Sequence, residues 1–375
     1  MELTKNDLCT PALICDLDVF ELNLNKMANY ARDCGIKLRP HAKSHKCPII
    51  ALRQIEAGAV GVCVATLLEA EVMAEAGIAE ILITSEQVGA PKIQRLMGLT
   101  KRHPDIMVVV DNAENVRQLG EAATAHKRPL KVLIELDVGS HRTGLTPGPP
   151  ALELAQIIAK NPSLKLHGLQ GYAGFVAHTI GFAARRAASQ EAMAKAFETQ
   201  HLLKKNGIEA ELITGGSTGT YNIDSHLQGA VELQAGSYIF MDLDYRRIGG
   251  QTGNIYDDFG YSLTVLSTVI SRPHPDVAIV DAGLKAFSTD KPFTPECKTV
   301  GGIVYSWAGD EHGKLNLTAA DREVRLGDRL EFIIPHCDPT VNLYNCLHAV
   351  RGEKVEAIWP VAARGYFTEV SDTYR

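Results

Sequence analysis

No apolar run in this sequence approaches the roughly 18 residues that a bilayer-spanning helix requires, so a membrane-embedded chain is not expected. The N-terminus, MELTKNDLCTPAL, has no basic segment followed by an apolar one, and no signal peptide is expected. Positive charge is not in excess. Lys and Arg number 38 against 44 Asp and Glu, and the formal charge of −6 argues against the basic face with which a protein neutralises nucleic-acid phosphates. Cysteines stand at positions 9, 15, 34, 47, 63, 297, 337 and 346, without a CxxC pair or the tight spacing of a disulfide scaffold. Reduced thiols in a cytoplasmic protein are the expectation. Internal repeats and low-complexity tracts are also lacking.

What is there is a soluble, globular composition, 45% hydrophobic and 22% charged, over 375 residues, a length that favours two domains. Residues 10–16, TPALICD, read as a short strand, with Asp18 capping the helical pattern Val19, Leu22, Leu24, Met27. From residue 37 the chain alternates regularly. Strand candidates lie at 36–43, 61–66, 81–85, 106–111, 131–139, 164–172, 210–216 and 231–240, and helical patterns at 48–57, 67–76, 90–101, 113–125, 149–160 and 181–206. Only a short helical segment follows 220. Eight apolar strands separated by helices predict an α/β fold, a (β/α)8 barrel over 17–250 with its parallel sheet buried on both faces. A doubly wound open sheet shares the local pattern, and the count of eight favours closure. After residue 250 the texture turns to short strand-like runs without helices. This predicts a second, mainly β domain at 251–375, with which strand 10–16 is placed to pack.

The stretch RPHAKSHKCP, residues 39–48, sets a lysine among histidines at a strand end. Read with a period of two, Arg39, His41 and Lys43 share one face. Burial and cationic neighbours would make Lys43 lose its proton readily, and a free amine is what condenses with an aldehyde. A surface cluster of basic residues is the alternative. In such a barrel the site lies at the C-terminal ends of the strands, which here supply Lys43, Thr66, Ser85, Asp111, Arg142, Tyr172 and, just beyond, His178. The last two strands end in ITGGSTGT (213–220) and QAGSYIF (234–240), small-residue loops that expose backbone N–H groups and suit a phosphate. A phosphate cradle beside an activated lysine points to pyridoxal 5′-phosphate.

A second signal is IIPHCDPT at 333–340. On an extended backbone His336 and Asp338 share a face and Cys337 points away, which offers an imidazole and a carboxylate to one divalent cation. A polar turn is the plainer reading. The run DEH at 310–312 would add outer groups, and a charged hairpin tip explains it equally well.

These residues together resemble the D-threonine aldolase and D-serine dehydratase family, pyridoxal-phosphate enzymes that share the barrel of alanine racemase. The matching stretches are TPALICDLD, LRPHAKSHKCP, ELDVGSHRTG, GLQGY with His178 downstream, TGGSTGT, ELQAGSYIFMD, DAGLK, DEHG, PHCDPT with Asn342, and ARGYF, in the family's order over nearly the whole chain. The resemblance implies that Lys43 holds the cofactor, Arg142 approaches the ring's phenolate oxygen, and Tyr172 lies in the cofactor site. It implies that Ser217, Thr218, Gly219, Gly236, Ser237 and Tyr238 hold the phosphate. His336 and Asp338 would bind the metal, and His178 would stand near the substrate hydroxyl as a base or a partner of metal-bound water. The family's dehydratases carry a cysteine two residues after the metal-binding histidine, where this chain has Asp338, as aldolases do. Two positions depart from the aldolase pattern: Val64-Ala65-Thr66 follows Cys63, and Ala173 follows Tyr172, so substrate identity stays open.

The expected activity is therefore metal-assisted cleavage of D-3-hydroxy amino acids, of the D-threonine type, to glycine and an aldehyde. Manganese or magnesium suits a carboxylate-bearing site, with zinc the alternative. A dehydratase of D-serine or D-3-hydroxyaspartate would use the same parts. A pyridoxal-phosphate carrier is the non-enzymatic reading, against which the β domain argues. The resemblance also implies a homodimer, with the β domain of one subunit near the barrel mouth of the other.

Overall fold

The structure, a computed structural model, describes residues 2–365 except 228 and 230; the end of the ARGYF stretch and the last ten residues of the expected β domain lie outside the described residues. Strand β1 (Ala12–Asp16) leads directly into α1 (Leu17–Asp33). Asp16, not Asp18, caps this helix, accepting from the backbone N–H groups of Asp18 and Val19. The strand ends one residue before the helix begins, so Asp18 already lies in the first turn and its carboxylate meets Arg351 instead. The helix buries Phe20, Leu24, Met27 and Ala31, a stripe at helical spacing.

The barrel follows as α2 (Pro48–Glu56), β2 (Val62–Val64), α3 (Leu67–Glu75), β3 (Ile81–Ile83), α4 (Ala90–Arg102), β4 (Met107–Val110), α5 (Ala113–Ala125), β5 (Leu130–Glu135), α6 (Pro149–Ala159) and β6 (Leu164–Gly171). It continues with α7 (Gly174–Ala177), α8 (Phe182–Lys205), β7 (Leu212–Gly215), α9 (Tyr221–Asp224), β8 (Val231–Leu233) and α10 (Leu243–Arg246). Strands β2 to β8 pair in sequence order, all parallel. The eighth place belongs to residues 37–41, an irregular segment rather than the continuous strand expected at 36–43. Leu38 bridges Leu233 and His41 bridges Cys63, each in parallel. Pro40 has no N–H for the ladder, although its carbonyl accepts from Cys63, and the chain then turns into a 3-10 helix at Ala42–Ser44. Near-continuous burial of Val62–Val64, Ile81–Ile83 and Met107–Val110 reflects a sheet covered on both faces.

The remaining chain forms β9 (Leu263–His274), β10 (Val277–Val280), β11 (Glu296–Cys297), β12 (Val304–Trp307), β13 (Gly313–Asn316), β14 (Arg329–Ile333), α11 (Cys337–Val341), β15 (Cys346–Arg351) and β16 (Lys354–Pro360). β1 sits inside this second sheet, antiparallel to β9 and parallel to β15. Phe287, Tyr305 and Phe332 pack edge to face in its core, with the partly buried Trp307 against Phe287 and Tyr305. The two layers meet at the barrel mouth, where Leu243 N–H donates to Ile334 O, Asp244 N–H to Pro335 O, and Cys337 N–H to Asp242 Oδ2. All eight cysteines are unpaired. Among the described residues no helix is long and apolar enough to cross a membrane.

Candidate active site

Lys43 lies in the 3-10 turn that ends the irregular strand, and the turn is fixed from below by His41. The His41 carbonyl accepts from Ser44 Oγ at 3.1 Å, and its Nδ1 faces the Lys43 N–H at 3.4 Å. Thr84 spends its hydroxyl proton on Val64 O, so its oxygen accepts from His41 Nε2 at 3.0 Å. Burial, then the charge of Lys43, pushes the His41 imidazole well below its usual range and keeps it neutral.

The expected depression of Lys43 does not occur. Its Nζ lies 3.4 Å from Asp338 Oδ2, and this carboxylate outweighs burial and holds the ammonium above its ordinary range. Arg39, expected as a cationic neighbour, sits toward the opposite end of the barrel interior, its guanidinium bidentate on Glu232 at 2.6 and 3.1 Å. In return, although burial raises the Asp338 carboxyl, Lys43 and His336 bring it down to about 2.

Arg142 projects from a loop tied by three carboxylates. Glu135 accepts from Thr143 Oγ1 at 2.9 Å, Asp111 from the Gly144 N–H at 3.0 Å, and Asp137 from the N–H groups of Gly139 and His141. Gly144 turns at φ +91°, where a Cβ would stand 2.6 Å from the Asp137 nitrogen. The guanidinium lies 5.5 Å from the centre of the Tyr172 ring. With His41, Lys43 and Tyr172 it lines a cavity of about 160 Å³ that continues into the space beneath α11.

Of the six residues expected around a phosphate, Ser217, Thr218, Gly236 and Ser237 line that inner space together with Lys43. Gly236 must be glycine, since a Cβ would meet the His41 carbonyl at 2.8 Å. Gly219 and Tyr238 are not among the residues that line it. The Gly219 carbonyl accepts from Arg185 Nε, and the buried Tyr238 phenol accepts from Gln54 in the barrel wall, although its backbone N–H donates to Thr218 Oγ1. Three hydroxyls, a glycine cradle and an amine in one cleft fit an aldehyde that carries a phosphate.

The local reasoning for His336 and Asp338 fails, while their meeting holds. His336 is extended, at φ −148°, but α11 begins at Cys337, so the two residues do not share a strand face. Both nevertheless line the cleft, and Cys337 is buried behind them. His336 Nδ1 contacts Asp290 Oδ2 at 2.7 Å, which fixes the ring and leaves Nε2 as a donor atom, the arrangement usual for a metal-ligating histidine. Among the described residues no group of three or more His, Cys, Asp or Glu side chains gathers as a metal site. A cation here would have two protein ligands, which fits hard ions that keep several waters. The 310–312 run is an exposed turn before β13, where Glu311 pairs with Lys285.

His178 follows α7, and its Nδ1 lies 3.0 Å from Asp244 Oδ2, with Tyr245 beside the ring at 4.9 Å. Burial raises the Asp244 carboxyl, but contacts from His178 and Lys291 outweigh it and hold the group well below the carboxylate range. The carboxylate beside Nδ1 orients the ring. Asp244, Tyr245, Asp290 and Lys291 escaped the sequence reading because no spacing links them to the motifs they serve. Arg185, buried and bonded to the carbonyls of Thr179, Gly219, Ile248 and Gly249, escaped for the same reason.

Residues 15–244 match the family model "Alanine racemase, N-terminal domain", and residues 262–350 match "Putative serine dehydratase domain". The chain belongs to the D-threonine aldolase and D-serine dehydratase family. It is 37% identical to a 3-hydroxy-D-aspartate aldolase of Paracoccus denitrificans (strain Pd 1222), over 97% of this chain and 94% of that protein. It is 40% identical to a D-threonine aldolase of Arthrobacter sp, over 95% and 93%. The crystal structure of D-threonine aldolase from Filomicrobium marinum superposes with a TM-score of 0.93 at 39% identity, covering 97% of this chain and 98% of that one. Dehydratases in the family are more distant relatives, at 29% identity or below.

Proposed function

We infer that this member of the family is a pyridoxal-phosphate- and divalent-metal-dependent aldolase that cleaves D-3-hydroxy amino acids of the D-threonine type to glycine and an aldehyde. The observation that carries the reading is Asp338, a carboxylate where the dehydratase pattern has a cysteine, lying in one cleft with Lys43 and His336. The aldolase relatives at 37–40% identity support it.

Lys43, Arg142, Tyr172, Ser217, Thr218, Gly236 and Ser237 would hold pyridoxal 5′-phosphate, which when bound supplies an electron sink. His336 and Asp338 would hold the metal, which would supply Lewis acidity toward the substrate hydroxyl. His178 Nε2 takes the hydroxyl proton, its ring held by Asp244 and Tyr245. With that proton gone the Cα–Cβ bond breaks, the β carbon leaves as an aldehyde, and the α carbon takes up a proton to become glycine.

The test is product analysis. Protein supplied with pyridoxal 5′-phosphate and Mn²⁺ is incubated with D-threonine, D-phenylserine and D-3-hydroxyaspartate. Glycine and the matching aldehyde are expected, with turnover lost on chelation and restored by Mn²⁺ or Mg²⁺. An oxo acid and ammonia without glycine would overturn the aldolase reading in favour of dehydration.

A further inference from the structure

Arg185 stands in the first turn of α8 with no exposed surface, and the mechanism gives it no task. Its Nε donates to Gly219 O at 2.8 Å, one terminal nitrogen to Thr179 O at 2.9 Å and Ile248 O at 2.8 Å, and the other to Gly249 O at 2.8 Å. Four of the five N–H groups of a guanidinium are spent in this way on carbonyls. Among the described residues no carboxylate pairs with it; Asp258, an acid whose charge reaches it, accepts from Tyr221 and Asn222 instead. Burying a cation without a counter-ion is costly, and apolar side chains would fill such a corner more stably.

The four carbonyls come from three segments, each of which adjoins a group of the cleft. Gly219 follows Ser217 and Thr218, which line the inner space. Thr179 follows His178. Ile248 and Gly249 lie just past α10, whose Asp244 and Tyr245 hold the His178 ring. The segments also meet directly: a Cβ on Gly219 would stand 2.3 Å from the Ala177 carbonyl, and the Gly181 N–H donates to Ile248 O at 2.8 Å. A planar guanidinium cannot follow one segment and keep its bonds to the others. Movement of the phosphate loop would leave a buried donor without its acceptor, so the three segments open and close together.

We propose that Arg185 is a positioning residue that couples occupation of the phosphate loop to the placement of His178, because one side chain fixes the loop, the histidine's own segment and the exit of the helix that braces it. The proposal rests on the reading of the cleft as a pyridoxal-phosphate site with His178 as the base.

The first test needs no variant. Amide hydrogen exchange of the full-length wild type is followed by mass spectrometry without cofactor, with saturating pyridoxal 5′-phosphate, and with saturating pyridoxal, which lacks the phosphate. Residues 247–250 do not line the cleft, yet their amides should be protected about tenfold or more by pyridoxal 5′-phosphate and far less by pyridoxal. Equal exchange with and without pyridoxal 5′-phosphate would overturn the proposal. The second test uses Arg185→Lys, which keeps the charge but not the planar fork, and Arg185→Met. In either, the preference for pyridoxal 5′-phosphate over pyridoxal, titrated by absorbance, should fall about 10- to 100-fold. In the enzyme saturated with pyridoxal 5′-phosphate and Mg²⁺, kcat on D-threonine should also fall, and this loss should vanish when His178→Gln is already present. A merely structural role would weaken both aldehydes alike and add to the loss from His178→Gln. An unchanged preference in whichever variant folds would likewise overturn the coupling. Wild type that binds neither aldehyde would instead overturn the cofactor reading, and full activity of His178→Gln alone would overturn His178 as the base; the proposal would fall with either.

Discussion

Replacing Arg39 with leucine tests whether the lower end of the barrel is held by one ion pair. Arg39 and Glu232 are 4% and 3% exposed, and the guanidinium grips both carboxylate oxygens, at 2.6 and 3.1 Å, while NH1 donates to Glu80 O. Removing the cation leaves a buried carboxylate without its partner, which typically costs about 3–5 kcal/mol. A cavity of about 440 Å³ opens beside both residues, so water can reach the orphaned group, and the lower end, about 3 kcal/mol, is the expected cost. For a domain of this size that is a fall in melting temperature of roughly 6–12 °C, followed by circular dichroism. Arg39→Leu combined with Glu232→Leu removes both charges and should recover most of the loss, since a paired burial is often replaced by apolar groups at little cost. Binding of pyridoxal 5′-phosphate below the melting range should survive in both, because Lys43 lies at the other end of the barrel. A single variant that melts within about 2 °C of wild type, or a double variant less stable than the single, would refute the reasoning.

Gly236→Ala would press a Cβ to within 2.8 Å of the His41 carbonyl and displace the turn that carries Lys43. Overpacking of this kind costs about 1–3 kcal/mol, so affinity for pyridoxal 5′-phosphate, titrated by absorbance, should weaken about 5- to 150-fold; unchanged affinity would remove this glycine from the cradle. Burial first, and Glu135 second, raise the Glu86 carboxyl from 4.5 to about 8, so the folded chain keeps a proton that the unfolded chain releases. The sign follows: this contribution to stability is complete below pH 4.5 and is lost as pH rises through about 8. Glu86→Gln cannot ionise, and its melting temperature should fall less than that of wild type between pH 5 and pH 9; parallel profiles would contradict the assignment.

Local signals carried most of the fold. Runs such as IMVVVD are apolar throughout because both faces of a parallel sheet are covered, and seven of the eight strand candidates stand as pairing strands. The eighth showed the limit of periodicity. A period of two does not reach Lys43, because Ala42–Ser44 is a 3-10 turn, and Arg39 pairs with Glu232 in the barrel interior while Lys43 meets Asp338 at the mouth. The group that sets the charge of Lys43 is Asp338, which arrives from the far end of the chain through the docking of α11 onto the barrel mouth. His336 and Asp338 were legible as a candidate pair from residue type, whereas the extended geometry assumed for them was wrong at Cys337, where the helix begins. Tyr238 and Gly219 lie in the loops that line the inner space, and the partners of the Tyr238 phenol and the Gly219 carbonyl, Gln54 and Arg185, are ones no local pattern reveals. What sequence supplies here is the set of chemical groups delivered to the barrel mouth. The protonation states of Lys43, Asp338 and Asp244 follow from pairs made between elements distant in the chain, Lys43 with Asp338 and Asp244 with His178 and Lys291. Substitution of one member of such a pair should therefore alter the pH dependence of the other before it alters the fold.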